Sequence, residues 1–275
     1  MRSLIVPARS ALVVPDALKI PQRFRAKAPA IARRRPLLAA PIPSFGARGS
    51  FTTANNSASP SYPTGITAGQ KLIVSAWGFC LTAGQDVLTW TGPAGFTTIH
   101  EGTGSRARSA AWEKTATGSE TGTVTVSATT GSGNVAIDAC VMRFANAGNF
   151  TVEGVDENFT ASVNTSLVPA DLTTLGPNRL AVALCYAGNA AVPLFFDGPI
   201  SGNSGGSWSE ADGIASVTTG HVNSRNVADM PSPGTLSGGA ITLSSSSRWS
   251  VITFAILPAV VGLTAARRSF PQLNR

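Results

Sequence analysis

Apolar residues along this chain fall into short runs divided by small and polar ones. From Ile66 onward the runs are KLIVSAWGF (71–79), VLTW (87–90), SAAWEKTA (109–116), GTVTVSA (122–128), NVAIDACVMRF (134–144), NRLAVALCYA (178–187), GIASVTT (213–219), GAITLS (239–244) and RWSVITFAIL (248–257). Most are bounded by Gly, Ser, Asn or Pro, which predicts many short antiparallel strands. Thr123-Val124-Thr125-Val126 alternates with period two, as a half-exposed strand with inward valines does. NVAIDACVMRF and RWSVITFAIL are apolar at both parities, which predicts central strands buried on both faces. The stretch 110–128 predicts a hairpin, with its turn around Gly118-Ser119-Glu120. No long amphipathic helix is visible. The expected fold is all-β, an antiparallel β-sandwich of jelly-roll-like type.

The runs also repeat in order. Gly69-Gln70-Lys71-Leu72-Ile73-Val74 is loosely echoed by Gly176-Pro177-Asn178-Arg179-Leu180-Ala181-Val182, and GPAGF (92–96) by DGPISG (197–202). GTVTVSATTGSGNVAIDACVMRF parallels GAITLSSSSRWSVITFAIL as alternating strand, polar turn and long apolar strand. Residues 66–147 and 172–257 are therefore expected to be pseudo-equivalent halves of a body spanning 66–258. They either interleave in one sandwich or stand as two lobes. A closing strand that pairs within its own half marks lobes.

Charge divides the chain differently. Residues 1–48 hold ten Lys/Arg and one acid, Asp16, giving +9. Residues 49–258 hold eight Lys/Arg and thirteen Asp/Glu, giving −5, and 259–275 hold three arginines, giving +3; the sum is the net +7. The chain reads as an acidic body with basic tails. Prolines at 7, 15, 21, 29, 36, 41 and 43 keep the first segment from building its own core. Residues 1–48 are expected to form an extended arm, 49–65 a linker and 259–275 a short tail. The arm carries apolar beads among its cations. Arg23, Arg25, Arg33, Arg34 and Arg35 would meet acids on a partner, and Leu37, Leu38 and Ile42 would enter its apolar grooves.

Three cysteines, Cys80, Cys140 and Cys185, sit inside apolar runs, which argues for buried free thiols and folding in a reducing cytoplasm. The N-terminus lacks a secretory pattern, and its prolines oppose the amphipathic helix of a transit peptide. VITFAILPAVVGL (251–263) is broken by Pro258 and is shorter than the roughly 20 residues of a membrane helix, so no membrane association is expected.

Groups suited to catalysis are few. His100 lies beside Glu101 and His221 follows a strand, and both are read as solvent-facing loop or strand-end residues. GNSGG (202–206) matches the nucleophile-elbow pattern around Ser204, but its flanks read as turn and loop where a hydrolase needs strand and helix. Glu153, Asp156 and Glu157 in VEGVDENF (152–159) read as a solvated acidic connector between the halves. GSGN (131–134) lacks the Lys-Ser/Thr of a phosphate loop. No metal or other cofactor is expected. Nucleic acid is disfavoured, because only Phe24 and Phe45 interleave the basic arm and the body is acidic.

The elements ITAGQKLIVSAWGF, TGPAGFTTI, AAWEKTATGSETGTVTVS, NVAIDACVMRFANA and TLGPNRLAVALCYAG resemble a β-sandwich family common among bacteriophage structural and tail-associated proteins, over roughly residues 60–258. That resemblance implies a non-enzymatic virion component, made in the host cytoplasm. Its partners would be other capsid or tail subunits, with homo-oligomers in the particle. Capsid decoration and a tail or fibre-base position both fit. A carbohydrate-binding or adhesive module is the alternative. Of Trp77, Trp90, Trp112, Trp208 and Trp249, Trp208 in GGSWSE is its best candidate for a sugar-stacking face.

Overall fold

A computed structural model describes residues 40–188, 208–216 and 221–259 of the chain. The described elements are all strands. In the first lobe they are β1 (Ser44–Arg48), β2 (Thr52–Asn55), β3 (Ser57–Ala58), β4 (Lys71–Cys80), β5 (Val87–Thr91), β6 (Thr97–Glu101), β7 (Ala107–Thr115), β8 (Val126–Thr130) and β9 (Val135–Ala145). The second lobe holds β10 (Ala147–Phe159), β11 (Asn164–Leu167), β12 (Leu172–Thr174), β13 (Arg179–Gly188), β14 (Ser209–Ser216), β15 (His221–Met230), β16 (Gly234–Leu236) and β17 (Ile241–Pro258). Every pairing between them is antiparallel.

Each lobe is built on one large sheet. The first has the order β1-β9-β4-β7-β6, with β2 also on β9; the second has β10-β17-β13-β15-β14, with β11 also on β17. The outer edge of the closing strand is covered the same way in both. β1 pairs with the later part of β9 and β2 with its earlier part. β10 and β11 divide β17 likewise. Both closing strands pair within their own lobe, β9 with β4 and β17 with β13, so the lobes do not interleave.

Side-chain alternation explains the layering. In β4, Ile73, Trp77 and Phe79 point one way and Val74, Ala76 and Cys80 the other, and all are buried. The first set meets Leu180, Val182, Leu184 and Tyr186 of β13 and Ile252, Phe254 and Ile256 of β17 in a core shared by the lobes. The second set packs on a smaller sheet, β3-β8-β5, through Val87, Trp90, Val126 and Ala128. The far face of the second large sheet is covered by Leu167 of β11, Leu172 of β12, Leu236 of β16 and the early residues Ile241 and Leu243 of β17. Four β layers result, with the two long sheets innermost. Strands apolar at both parities are the ones that need cover on both faces.

The chain passes between lobes at a single residue. Asn146 lies between β9 and β10 with φ +56, a left-handed conformation that Asn tolerates better than most side chains. Residues 147–159 form β10 of the second lobe, so they are no connector. The expected linker 49–65 holds β2 and β3, whose Thr, Ser and Asn residues carry little apolar signal. The expected arm also ends earlier: β1 belongs to the body, and Phe45 and Ile42 pack on the shared core. The predicted 110–128 hairpin does not form. β7 pairs with β4 and β6 in the large sheet, whereas β8 pairs with β5 and β3 in the small one. The Gly118 turn, at φ +89, thus carries the chain from one layer to the next. Val124 and Val126 are nonetheless buried and Thr123 and Thr125 exposed. The Ser-rich stretch before Arg248 is not a turn either; it runs through β17 without a break.

Because both lobes contribute to one core, Phe254→Ala should lower stability by about 3–5 kcal/mol. Denaturant melts read by tryptophan fluorescence and by circular dichroism should still give one coincident transition.

Candidate functional site

The densest polar cluster sits where the lobes meet, on Glu157 of β10. Its side chain is 2 % exposed. Oε2 accepts from His100 Nε2 of β6 at 2.7 Å and from Arg108 Nε and Nη2 of β7 at 3.1 and 2.5 Å. Oε1 accepts from the Ser109 amide at 2.9 Å and from the Ser250 hydroxyl of β17. Arg108 is itself fixed: Nη1 donates to the Thr103 carbonyl at 2.5 Å, and the guanidinium stands 4.0 Å from the centre of the Phe159 ring. Gly102 closes the cluster, since a Cβ there would overlap the Glu157 carboxylate.

A buried carboxylate is costly unless donors replace its water. Burial pushes the Glu157 carboxyl up, but His100, Arg108, Ser250 and the Ser109 amide outweigh burial and hold it below its ordinary value. The geometry suits clamping rather than nucleophilic chemistry. A serine-histidine-carboxylate relay places the imidazole between hydroxyl and carboxylate. Here Ser250 and His100 bond the same carboxylate side by side, and no described serine bonds His100. Three of the donors come from the first lobe, and Ser250 with Glu157 itself from the second.

This arrangement corrects two expectations. The acidic run 152–159 is solvated only in part: Asp156 is exposed, but the Glu157 side chain is buried and Glu153 accepts from Arg179 Nε at 2.9 Å. His100 is not a free solvent-facing residue, because it lies in β6 and is bonded to Glu157. The cluster was hidden because its members are 57, 49 and 93 residues from Glu157 in sequence.

A second polar group lies in the shared core. Tyr186 Oη donates to Ser75 Oγ at 2.5 Å, Ser75 lies 3.4 Å from Cys140 Sγ, and Arg225 Nη2 donates to that sulfur at 2.8 Å. Arg225 belongs to β15, which carries Asn223, Ser224, Arg225 and Asn226, all buried. Burial pushes the Tyr186 hydroxyl up and the Cys185 thiol up to about 12. All three cysteines are free and buried.

Trp208 does not offer a stacking face. It is 5 % exposed, packs with Leu236 and Met230, and donates its indole N–H to the Ser237 carbonyl at 3.2 Å. The other four tryptophans are buried as well. Ile42 is half-buried and packs against its own chain's core. His221 opens β15. Arg23, Arg25, Arg33, Arg34, Arg35, Leu37 and Leu38 lie outside the described residues, and so does Ser204. Among the described residues no group of three His, Cys, Asp or Glu is placed to hold a metal, and no helix is long and apolar enough to cross a membrane. No family model, curated protein or solved structure matches the chain.

Glu157→Gln keeps the size of the side chain and leaves Arg108 facing a neutral group, so it should cost about 3–5 kcal/mol in urea unfolding at neutral pH. The depressed carboxyl contributes stability that is present above its unfolded-state pKa and lost as pH falls through the lower folded value. The acid limb of the stability-pH curve should therefore be shallower in the Gln variant than in the wild type.

Proposed function

We propose that this chain is a non-enzymatic structural protein of a bacteriophage particle, with its β body displayed on the particle and its basic N-terminal segment fastened to neighbouring subunits. The observation that carries the reading is the separation of charge from fold. Residues 1–39 hold nine Lys/Arg and one acid, a net +8, whereas the body that follows is acidic and self-contained. Within the body, the buried Glu157 carboxylate and Arg108 form an ion pair at the lobe junction. A basic segment with apolar beads, attached to such a body, is suited to folding onto an acidic partner surface. The phage context comes from the resemblance of the strand pattern over residues 60–258. Capsid decoration and a tail or fibre-base position are both compatible with this reading, as are homo-oligomers in the particle. The adhesive alternative loses its best stacking residue with the burial of Trp208.

Truncation separates anchoring from folding. Removing 1–39 should leave a soluble body with an unchanged melting temperature that no longer joins the particle, as read by gel analysis of purified particles. Removing 1–48 should also destabilise the body, because it strips β1 from β9 and uncovers Phe144. Retained incorporation of the 1–39 deletion contradicts the proposal.

A further inference from the structure

The lobes leave a cleft of about 390 Å3 at one end of their junction, lined by Ala83, Gly84, Gln85, Asp86, Gly104, Ser105, Arg106, Ala161 and Arg248. Its volume falls within the range of small-ligand sites. The β4–β5 and β6–β7 loops of the first lobe form one side, turned by Gly84 and Gly104 at φ +77 and +75. The second lobe supplies Ala161 and Arg248.

Both arginines are held from behind. Arg106 Nε and Nη2 donate to the carbonyls of Cys80 and Leu81 at 2.8 and 3.3 Å, and its guanidinium lies 4.7 Å from the Phe79 ring centre. Arg248 Nε donates to the Ala161 carbonyl at 3.1 Å. Neither forms an ion pair among the described residues, unlike Arg108 and Arg179. Burial and the nearby Arg248 charge both hold Arg106 below its ordinary value, as two cations facing one cleft require. The remaining guanidinium N–H groups are donors without a carboxylate. Asp86 shares the cleft and is likewise unpaired, an acceptor for hydroxyl groups. Gln85 spends its Oε1 on the Ser132 amide at 3.0 Å, which leaves its NH2 to donate.

We propose that this cleft binds a small acidic saccharide, its carboxylate, sulfate or phosphate held between Arg106 and Arg248 and its hydroxyls by Asp86 and Gln85. Anchored guanidinium forks match planar and tetrahedral oxyanions and lose little freedom on binding. An unsubstituted anion would satisfy the arginines and leave Asp86 facing like charge; a ligand that also brings hydroxyls satisfies both. The residues lining the cleft all belong to the body and give it a binding surface of its own.

Titration calorimetry on the full chain tests this with glucuronate, glucose 6-phosphate, glucose and inorganic phosphate as probes. Either sugar acid should bind more tightly than glucose and phosphate. Arg248→Gln and Ala83→Trp, the second filling the cleft with both cations kept, should each weaken that binding by about tenfold or more. Melting temperatures of both variants check that the body stays folded. Asp86→Asn should reduce the preference for the sugar acid over phosphate. Binding unchanged in both cleft variants would assign it to the basic tails and overturn the proposal. Equal affinity for phosphate and both sugar acids overturns the saccharide assignment, and so does the absence of binding.

Discussion

Strands that are apolar on both faces cannot end a sandwich. They have to lie inside one. β4, β9 and β13 are buried almost end to end, as is β17 from Trp249 to Ile256. Each large sheet therefore needs a layer on either side. On one side each sheet is covered by short strands of its own lobe; on the other the two large sheets cover each other. The four-layer body follows from that requirement, and so does the fusion of two lobes into one folding unit. A lobe alone would expose Trp77, Phe79 and Phe144, or Tyr186 and Phe254, to water.

The shared face is not uniformly apolar. Its polar members fix how the sheets meet. Hydrophobic contact alone is tolerant of sliding, whereas Glu157 needs His100, Arg108, Ser109 and Ser250 at once. A displaced lobe would leave a buried carboxylate without its donors. Arg225 on Cys140 adds a second such constraint from β15. Gly102 is part of the same device, because only hydrogen fits between its backbone and the carboxylate.

Residue by residue, the sequence was most readable where burial is uniform. KLIVSAWGF, NVAIDACVMRF and NRLAVALCYA are strands near their expected bounds, and the inward valines at 124 and 126 follow their alternation. Polarity concealed what lies at the lobe junction. HVNSRNVADM has the composition of a loop, yet it is β15, held by its ladders to β13 and β14, with Arg225 donating to Cys140 across the sheets and Asn226 to Ser224 within its own strand. VEGVDENF reads as solvated throughout, yet of its three acids only Asp156 is exposed, because Glu153 and Glu157 find cationic partners on other strands. Local pattern also misassigned pairing. β7 and β8 are close in sequence and lie in different sheets, since the small sheet must reach over to cover the large one. The Glu157 cluster joins residues far apart in sequence, so no local motif announces it. Trp208 had polar neighbours and a buried position, which sequence context alone does not separate.

A body held together in this way folds as one unit with the Glu157–Arg108 pair at its lobe junction, while most of the chain's basic excess lies in residues 1–39. The account assigns folding to the body and attachment to the basic segment. Electron cryomicroscopy of purified particles, with a label fused to the C-terminus, tests that division most directly. The account predicts label density beside a four-layer β body on the particle surface, and continuous density for residues 1–39 running over acidic patches of adjacent subunits. A particle without the protein, or one in which the body itself makes the contacts while residues 1–39 touch no subunit, would contradict it.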